Sequence, residues 1–167
     1  MRKIIILFLF LVVSKFLAAQ VIEIPKWLGT WQCVYTTHEK EPQTLTEKIV
    51  ISEIHKRRFV QFEITGHPID DSGTAYKYTA IHVFTFDFDK TEIVGWGFDN
   101  NGYKGVMERM TLTMTGDNKF IIKGESILYK LQDDWELLNE NQIKRNRSIV
   151  DKISGETITS EAIFTKQ

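Results

Sequence analysis

The sequence predicts an all-β fold: an antiparallel up-and-down barrel of about 8–10 strands, with a two-sheet β-sandwich as the alternative. Three observations point there. Apolar residues recur at every second position along most of the chain, the period of a strand with one buried face. Clusters of Gly, Asn, Asp and Ser interrupt those runs at intervals suited to hairpins. Finally, no long stretch carries the period of roughly 3.6 residues that marks an amphipathic helix. A short helical turn around Glu23–Leu28, just ahead of Gly29, is the exception. Strands that follow one another this densely need closure, because an open sheet leaves edges of unpaired N–H and C=O groups.

The first strand is expected over Thr30–Thr37, before the polar HEKEPQ break around Pro42. Thr44–Ile54 alternates Leu45, Glu47, Ile49 and Ile51 with polar partners. Arg58–Thr65 sets Val60, Phe62 and Ile64 on one face and stops at GHPIDDSG. The long strand Ala75–Asp89 collects Tyr76, Tyr78, Ala80, His82, Phe84, Phe86 and Phe88 on a single face, and Asp89-Lys90 turns it into Glu92–Asp99. The DNNG that follows is a strong hairpin signal, because Asn-Gly accepts the positive backbone angles of primed turns. Val106–Thr115 and Lys119–Ser126 come next, joined by a Thr-Gly-Asp-Asn turn. A short strand Ile127–Leu131 is expected to end at Gln132-Asp133-Asp134, leaving Trp135–Leu138 as a separate piece. Gln142–Asp151 and Thr157–Thr165 flank a last turn at Ser154-Gly155.

Residues 1–19 have a different character. Arg2 and Lys3 precede an apolar run from Ile4 to Val13, and the small residues Ala18 and Ala19 come before Gln20. That is the layout of a cleaved secretory signal peptide, so an exported (periplasmic or secreted) protein is expected, cut near Ala19. The apolar run is shorter than the roughly 20 residues a spanning helix needs, so no integral membrane segment is expected after cleavage. Residues 20–167 then form a single domain of about 148 residues, long enough to bury a core without staples. Cys33, the one cysteine, reads as a small buried hydrophobe. The full chain has 21 Lys+Arg against 22 Asp+Glu; losing Arg2, Lys3 and Lys15 leaves 18 against 22, a net charge near −4. That balance argues against nucleic acid as a partner.

The opening WLGTWQCVY at Trp27–Tyr35, with Gly29-Thr30-Trp31 at its centre, resembles the first strand of lipocalin-like (calycin-type) β-barrels. TFDFDK, GWGFDNNG and DDWELLNEN, with a last strand ending in FTK, are similar to secreted bacterial lipocalin-like domains of unknown function. The resemblance covers most of residues 27–165. It implies that Trp31 closes the narrow end of the barrel and that a late arginine, Arg145 or Arg147, packs over it. Fatty-acid binders with a Gly-Thr-Trp opening hold their carboxylate with an Arg-x-Tyr near the C-terminus, where this chain has Ile163-Phe164-Thr165-Lys166. Haem barrels of similar opening use a late histidine, and no histidine follows His82 here.

His38, His55, His67 and His82 show no metal-ligand spacing, and no nucleophile elbow, phosphate loop or dinucleotide fingerprint occurs. No cofactor and no metal site are expected. The expected activity is to hold a small apolar or amphipathic ligand, since a barrel of this strand number is wide enough for an interior cavity. The residues expected to line it are Trp31, Tyr76, Tyr78, His82, Phe84, Phe86, Trp96, Glu108, Met110 and Arg145. Trp96 stands between Gly95 and Gly97, which fits a tight barrel corner or the approach of a ligand. Glu108 shares the parity of Val106, Met110 and Leu112, so it either pairs with Arg145, Arg147 or His82 inside, or is turned outward by a bulge. Two alternatives stand beside the binding reading: an acid–base enzyme built on His82 and Glu108, and a structural or partner-binding envelope protein with a filled core.

Overall fold

The computed structural model describes residues 24–36, 44–55, 58–66, 77–87, 89–100 and 106–167. A single 3-10 turn, Pro25–Trp27, opens the described chain at the place where a helical turn is expected. Ten strands follow: β1 (Gly29–Thr36), β2 (Thr44–Ile54), β3 (Phe59–Gly66), β4 (Tyr78–Asp87), β5 (Glu92–Asp99), β6 (Met107–Gly116), β7 (Lys119–Glu125), β8 (Tyr129–Asn139), β9 (Gln142–Asp151) and β10 (Thr157–Lys166). Each pairs antiparallel with its neighbour in sequence, and β1 pairs with β10, so the sheet closes into an up-and-down barrel. The fold is the predicted one, not the sandwich.

The alternation that predicts the strands also packs them. Inward positions Ile49 and Ile51, Phe62 and Ile64, and Ala80 and Phe84 are all buried. Turns follow the local chemistry. Asp151 Oδ1 accepts the backbone N–H groups of Ile153 and Ser154 at 2.7 and 2.8 Å, and Gly155 takes a φ of 74° just beyond. Asp87 Oδ1 does the same for Asp89 and Lys90. The Asn101-Gly102 turn lies outside the described residues.

One element differs from its expectation. Ile127–Leu131 and Trp135–Leu138 are parts of a single strand, β8, and Gln132-Asp133-Asp134 is its middle, not a turn. Asp133 sits in register between Ile122 of β7 and Arg147 of β9, with its side chain inside the barrel. Ladder pairing on both sides, together with an ion pair to Arg147, outweighs the turn preference of Asp-Asp.

The barrel has two unlike ends. The 3-10 turn, the short β6–β7 and β8–β9 turns and the lower parts of β1 and β10 form a closed end. Trp31 Nε1 donates to the Trp27 carbonyl at 2.8 Å, and both indoles are completely buried. The expected arginine does not cover Trp31. Lys166 does, with Nζ 5.1 Å from the ring centroid, because β10 delivers that residue directly opposite Trp31. Above the closed end, β1 and β10 separate. Their register holds only at Trp31↔Lys166 and Gln32↔Thr165, whereas β9 and β10 stay paired up to Thr157.

Candidate functional site

Inside the barrel, the residues form three levels. The lowest is solid. Phe62 meets Phe84 edge-on at 5.7 Å and Phe120 at 6.0 Å, Phe120 stacks on Trp135 at 5.8 Å, and Trp27 meets Phe120 at 4.6 Å. These rings pack against one another. The glycines beside Trp96 serve this packing. A Cβ on Gly95 would lie 2.5 Å from Phe84 Cδ1, and one on Gly97 would lie 2.8 Å from Met110 Sδ and 3.0 Å from His82 Cδ2. The space freed by the missing side chains is filled by Phe84, His82 and Met110.

The middle level is polar. Arg145 of β9 reaches behind β1 and β10, inside the barrel, to Glu47 of β2, with Nη1–Oε1 at 2.5 Å and Nη2–Oε2 at 2.8 Å; both side chains are almost wholly buried. Arg145 also lies against the Trp135 and Phe164 rings, 5.7 and 5.1 Å from their centroids. Arg147 forms a second bidentate pair with Asp133, Nε–Oδ1 at 2.8 Å and Nη2–Oδ2 at 2.7 Å. Burial opposes ionisation of Asp133, but the Arg147 guanidinium overcomes it and holds the carboxyl below its ordinary range. Burial likewise works against the charge on Arg147, and Asp133 more than restores it. His82 completes the level. Burial pushes its pKa down to about 4, with Asp133 partly opposing and Arg147 adding to the fall, so the imidazole is neutral at pH 7.

The upper level is the mouth. Tyr78 of β4 and Tyr129 of β8 are half-buried there, and the Tyr129 hydroxyl donates to Asp99 Oδ2 at 3.1 Å. Burial, reinforced by the Asp99 charge, pushes the Tyr78 phenol up to about 12, and Tyr129 is raised by burial and by Tyr78 and Asp99. Both phenols therefore remain protonated donors. Along the inward face of β10, burial gives way to exposure. Phe164 is 0% exposed, Ala162 is half-buried, Ser160 is exposed, and Ile158 reaches 59%. On β9 the same climb runs from Ile143 at 0% through Arg145 at 3% to the half-buried Arg147 and Ile149.

The predicted site residues separate accordingly. Trp31, Phe84 and Met110 belong to the solid core, and Phe86 is half-buried toward the closed end. His82 and Arg145 stand in the polar level and Tyr78 at the mouth; Tyr76 lies outside the described residues. Trp31, Phe84 and Met110 rest in the packed core and line no cavity, and two further residues expected inside face outward. Trp96 points outward and is 44% exposed, because Gly95 and Gly97 on either side of it take the inward positions. Glu108 is also exposed on the outer surface. The register shift between Gly95↔Met110 and Gly97↔Met107 inserts an extra residue into β6, so Glu108 and Arg109 both face outward. With His82 inside the wall and Glu108 outside it, these two cannot share a proton. Glu47, Asp133 and Arg147 were the residues missed as site components. Their signal was a charge at an inward position of an apolar alternation, as in Leu131-x-Asp133-x-Trp135 and Ile143-x-Arg145-x-Arg147-x-Ile149.

Among the described residues, no three His, Cys, Asp or Glu side chains converge as a metal site, and no helix is long and apolar enough to cross a membrane. The architecture is a closed, ten-stranded, lipocalin-like barrel. No protein-family model matches the chain, and no curated protein does. Among solved structures it is similar to the S-type phycobiliprotein lyase of Guillardia theta, with a TM-score of 0.55 and 12% identity over 93% of this chain and 92% of that one. At that identity the likeness is one of fold.

Proposed function

We propose that this protein is an exported carrier of a small amphipathic molecule, bound in the barrel mouth above the polar level. One observation carries the reading: inward-facing positions are sealed around the aromatic floor and become open above it, to 59% exposure at Ile158. The bound molecule rests its polar head on Arg147, Tyr78 and Tyr129 and lays its apolar part against Ile149, Leu131 and Ile158. Arg147 spends Nε and Nη2 on Asp133, which leaves Nη1 as a further donor. The buried guanidinium–carboxylate pairs balance in charge, so the level suits a hydrogen-bonding head better than one that demands a counter-charge. Buried ion pairs contribute little to stability compared with apolar replacements, and two of them beneath an open mouth favour a binding role over a merely structural one.

Native mass spectrometry of protein recovered from its own host tests this directly, alongside titration with the fluorophore 1-anilinonaphthalene-8-sulfonate. A single bound molecule is expected, and Ser160→Trp, which fills the mouth without touching the core, is expected to weaken probe binding about ten-fold. Repeated absence of any bound molecule, with no saturable probe binding, overturns the proposal. Export rests on the Arg2-Lys3, Ile4–Val13 and Ala18-Ala19 pattern. N-terminal sequencing of the native protein should then begin at or near Gln20; an intact Met1 in the recovered protein refutes it.

A further inference from the structure

The outer wall of the barrel carries a second concave feature, a groove of about 420 Å³ over β6, β7, β8 and β9. Its size falls within the roughly 300–1,000 Å³ of small-molecule sites. Strand register builds it as two outward rows. Thr111, Lys123, Gln132 and Ser148 stand opposite one another on four successive strands, and Arg109, Glu125, Lys130 and Val150 form the next row toward the mouth. The floor between the rows is backbone at Gly124 and Leu131, whose side-chain positions point inward.

The charges in this groove do not cancel. Glu125 is engaged by Lys152 at 2.8 Å, and Arg109 by Glu92 at 3.2 Å, so those pairs neutralise themselves. Asp134, one row toward the closed end, accepts both contacts of the Gln132 amide at 3.2 Å, and a neutral amide leaves its negative charge in place. Lys123 and Lys130 have no carboxylate within ion-pairing distance among the described residues. Lys130 also acts electrostatically on Glu125 directly opposite it. Lys123 and Lys130 against Asp134 leave one positive charge in excess, on a chain whose overall formal charge is −1. The Thr111 and Ser148 hydroxyls stand beside them, and no aromatic ring lines the groove. Two ammonium groups flanked by hydroxyls, without a stacking surface, suit an oxyanion on a hydroxyl-rich molecule and not a nucleobase.

We infer that the β6–β9 groove binds a small polar oxyanion, a phosphate or sulfate ester of a sugar-like polyol, with Lys123 and Lys130 as its counter-charges. The site is separate from the proposed mouth cavity, and either can fail without the other. The test is a two-dimensional amide NMR titration of the full-length barrel with glucose 6-phosphate, inorganic phosphate, inorganic sulfate and glucose. Saturable shifts confined to residues 109–111, 123–125, 130–132 and 148–150 are expected with the anions, weakening as salt is raised, and none with glucose. Tighter binding of the ester assigns the groove to esters; tighter binding of a free ion assigns it to that ion. Lys123→Gln/Lys130→Gln should weaken binding at least ten-fold while leaving the thermal midpoint unchanged, each lysine accounting for roughly three- to five-fold. No saturable response to any of the anions, or an equal response from the double variant, overturns the assignment.

Discussion

Glu47→Gln tests the middle level of the barrel most sharply. The substitution keeps the shape of the side chain but removes its charge, and it sets an amide NH2 against a guanidinium that has only N–H groups to offer. Arg145, 3% exposed, then loses its hydrogen-bonded counter-charge, and among the described residues its Nε has no hydrogen-bond partner. Breaking a buried pair from one side costs about 3–5 kcal/mol, mostly the penalty of the stranded charge. The exposures of 4% and 9% for the two side chains, and the doubled hydrogen bonds at 2.5 and 2.8 Å, place this pair at the buried end of that range. With a urea slope of roughly 2 kcal/mol per M, a loss of about 4 kcal/mol lowers the unfolding midpoint by about 2 M. Arg145→Met alone should cost a similar amount by stranding Glu47. The pair Glu47→Leu/Arg145→Met should recover most of it, giving a coupling of several kcal/mol in a double-mutant cycle. The assay is equilibrium urea unfolding followed by tryptophan fluorescence. A loss under about 1 kcal/mol for Glu47→Gln, or additive single substitutions, would show that water reaches the pair and that the barrel is open at this level.

Three further outcomes follow from the same geometry. Gly95→Ala should destabilise by about 1–3 kcal/mol in the same assay, since its Cβ would lie 2.4 Å from the Val83 carbonyl oxygen and 2.5 Å from the Phe84 ring; a neutral result contradicts the packed floor. His82 has a folded-state pKa of about 4, below its ordinary value near 6.5, so its contribution is complete above about pH 6.5 and disappears as pH falls toward 4. Stability should drop by about 1.4 kcal/mol per pH unit across that window, the total being on the order of 3 kcal/mol. His82→Gln should flatten the slope even if it lowers the plateau, and an unchanged slope assigns the acid sensitivity elsewhere. Thr91 holds a φ of 57°, where a β-branched side chain is strained. Thr91→Gly should raise the thermal midpoint by the equivalent of about 1 kcal/mol, and a lower midpoint refutes the strain.

Strand periodicity was readable because it is local. The parity of Val60-x-Phe62-x-Ile64 or Tyr78-x-Ala80-x-His82-x-Phe84 fixes which side chains share a face wherever the strand pairs, and it held in the folded barrel. The same local logic failed at Gln132-Asp133-Asp134, where a turn-like composition is kept extended by pairing on both sides with strands ten or more residues away. It was insufficient at Glu108, where parity depends on a bulge that only the β5–β6 register reveals.

The candidate site shows the same division. The sequence by itself determined the all-β class and the inward face of β4 with His82 upon it, because hydrophobic alternation and turn chemistry act between near neighbours; closure through β1 and β10, and Lys166 in place of an arginine over Trp31, depend on strands far apart in the chain. Tertiary structure decided which inward charges meet. Glu47 and Arg145 are 98 positions apart and become a pair because closure through β1 and β10 brings β2 and β9 to the same side of the interior. It also decided that Phe84 of β4 packs on Phe62, in a ring cluster that continues through Phe120 to Trp135, and that inward positions become exposed higher up, where β10 parts from β1. Periodicity specifies the direction of each side chain, whereas filling a volume depends on what arrives from the opposite wall.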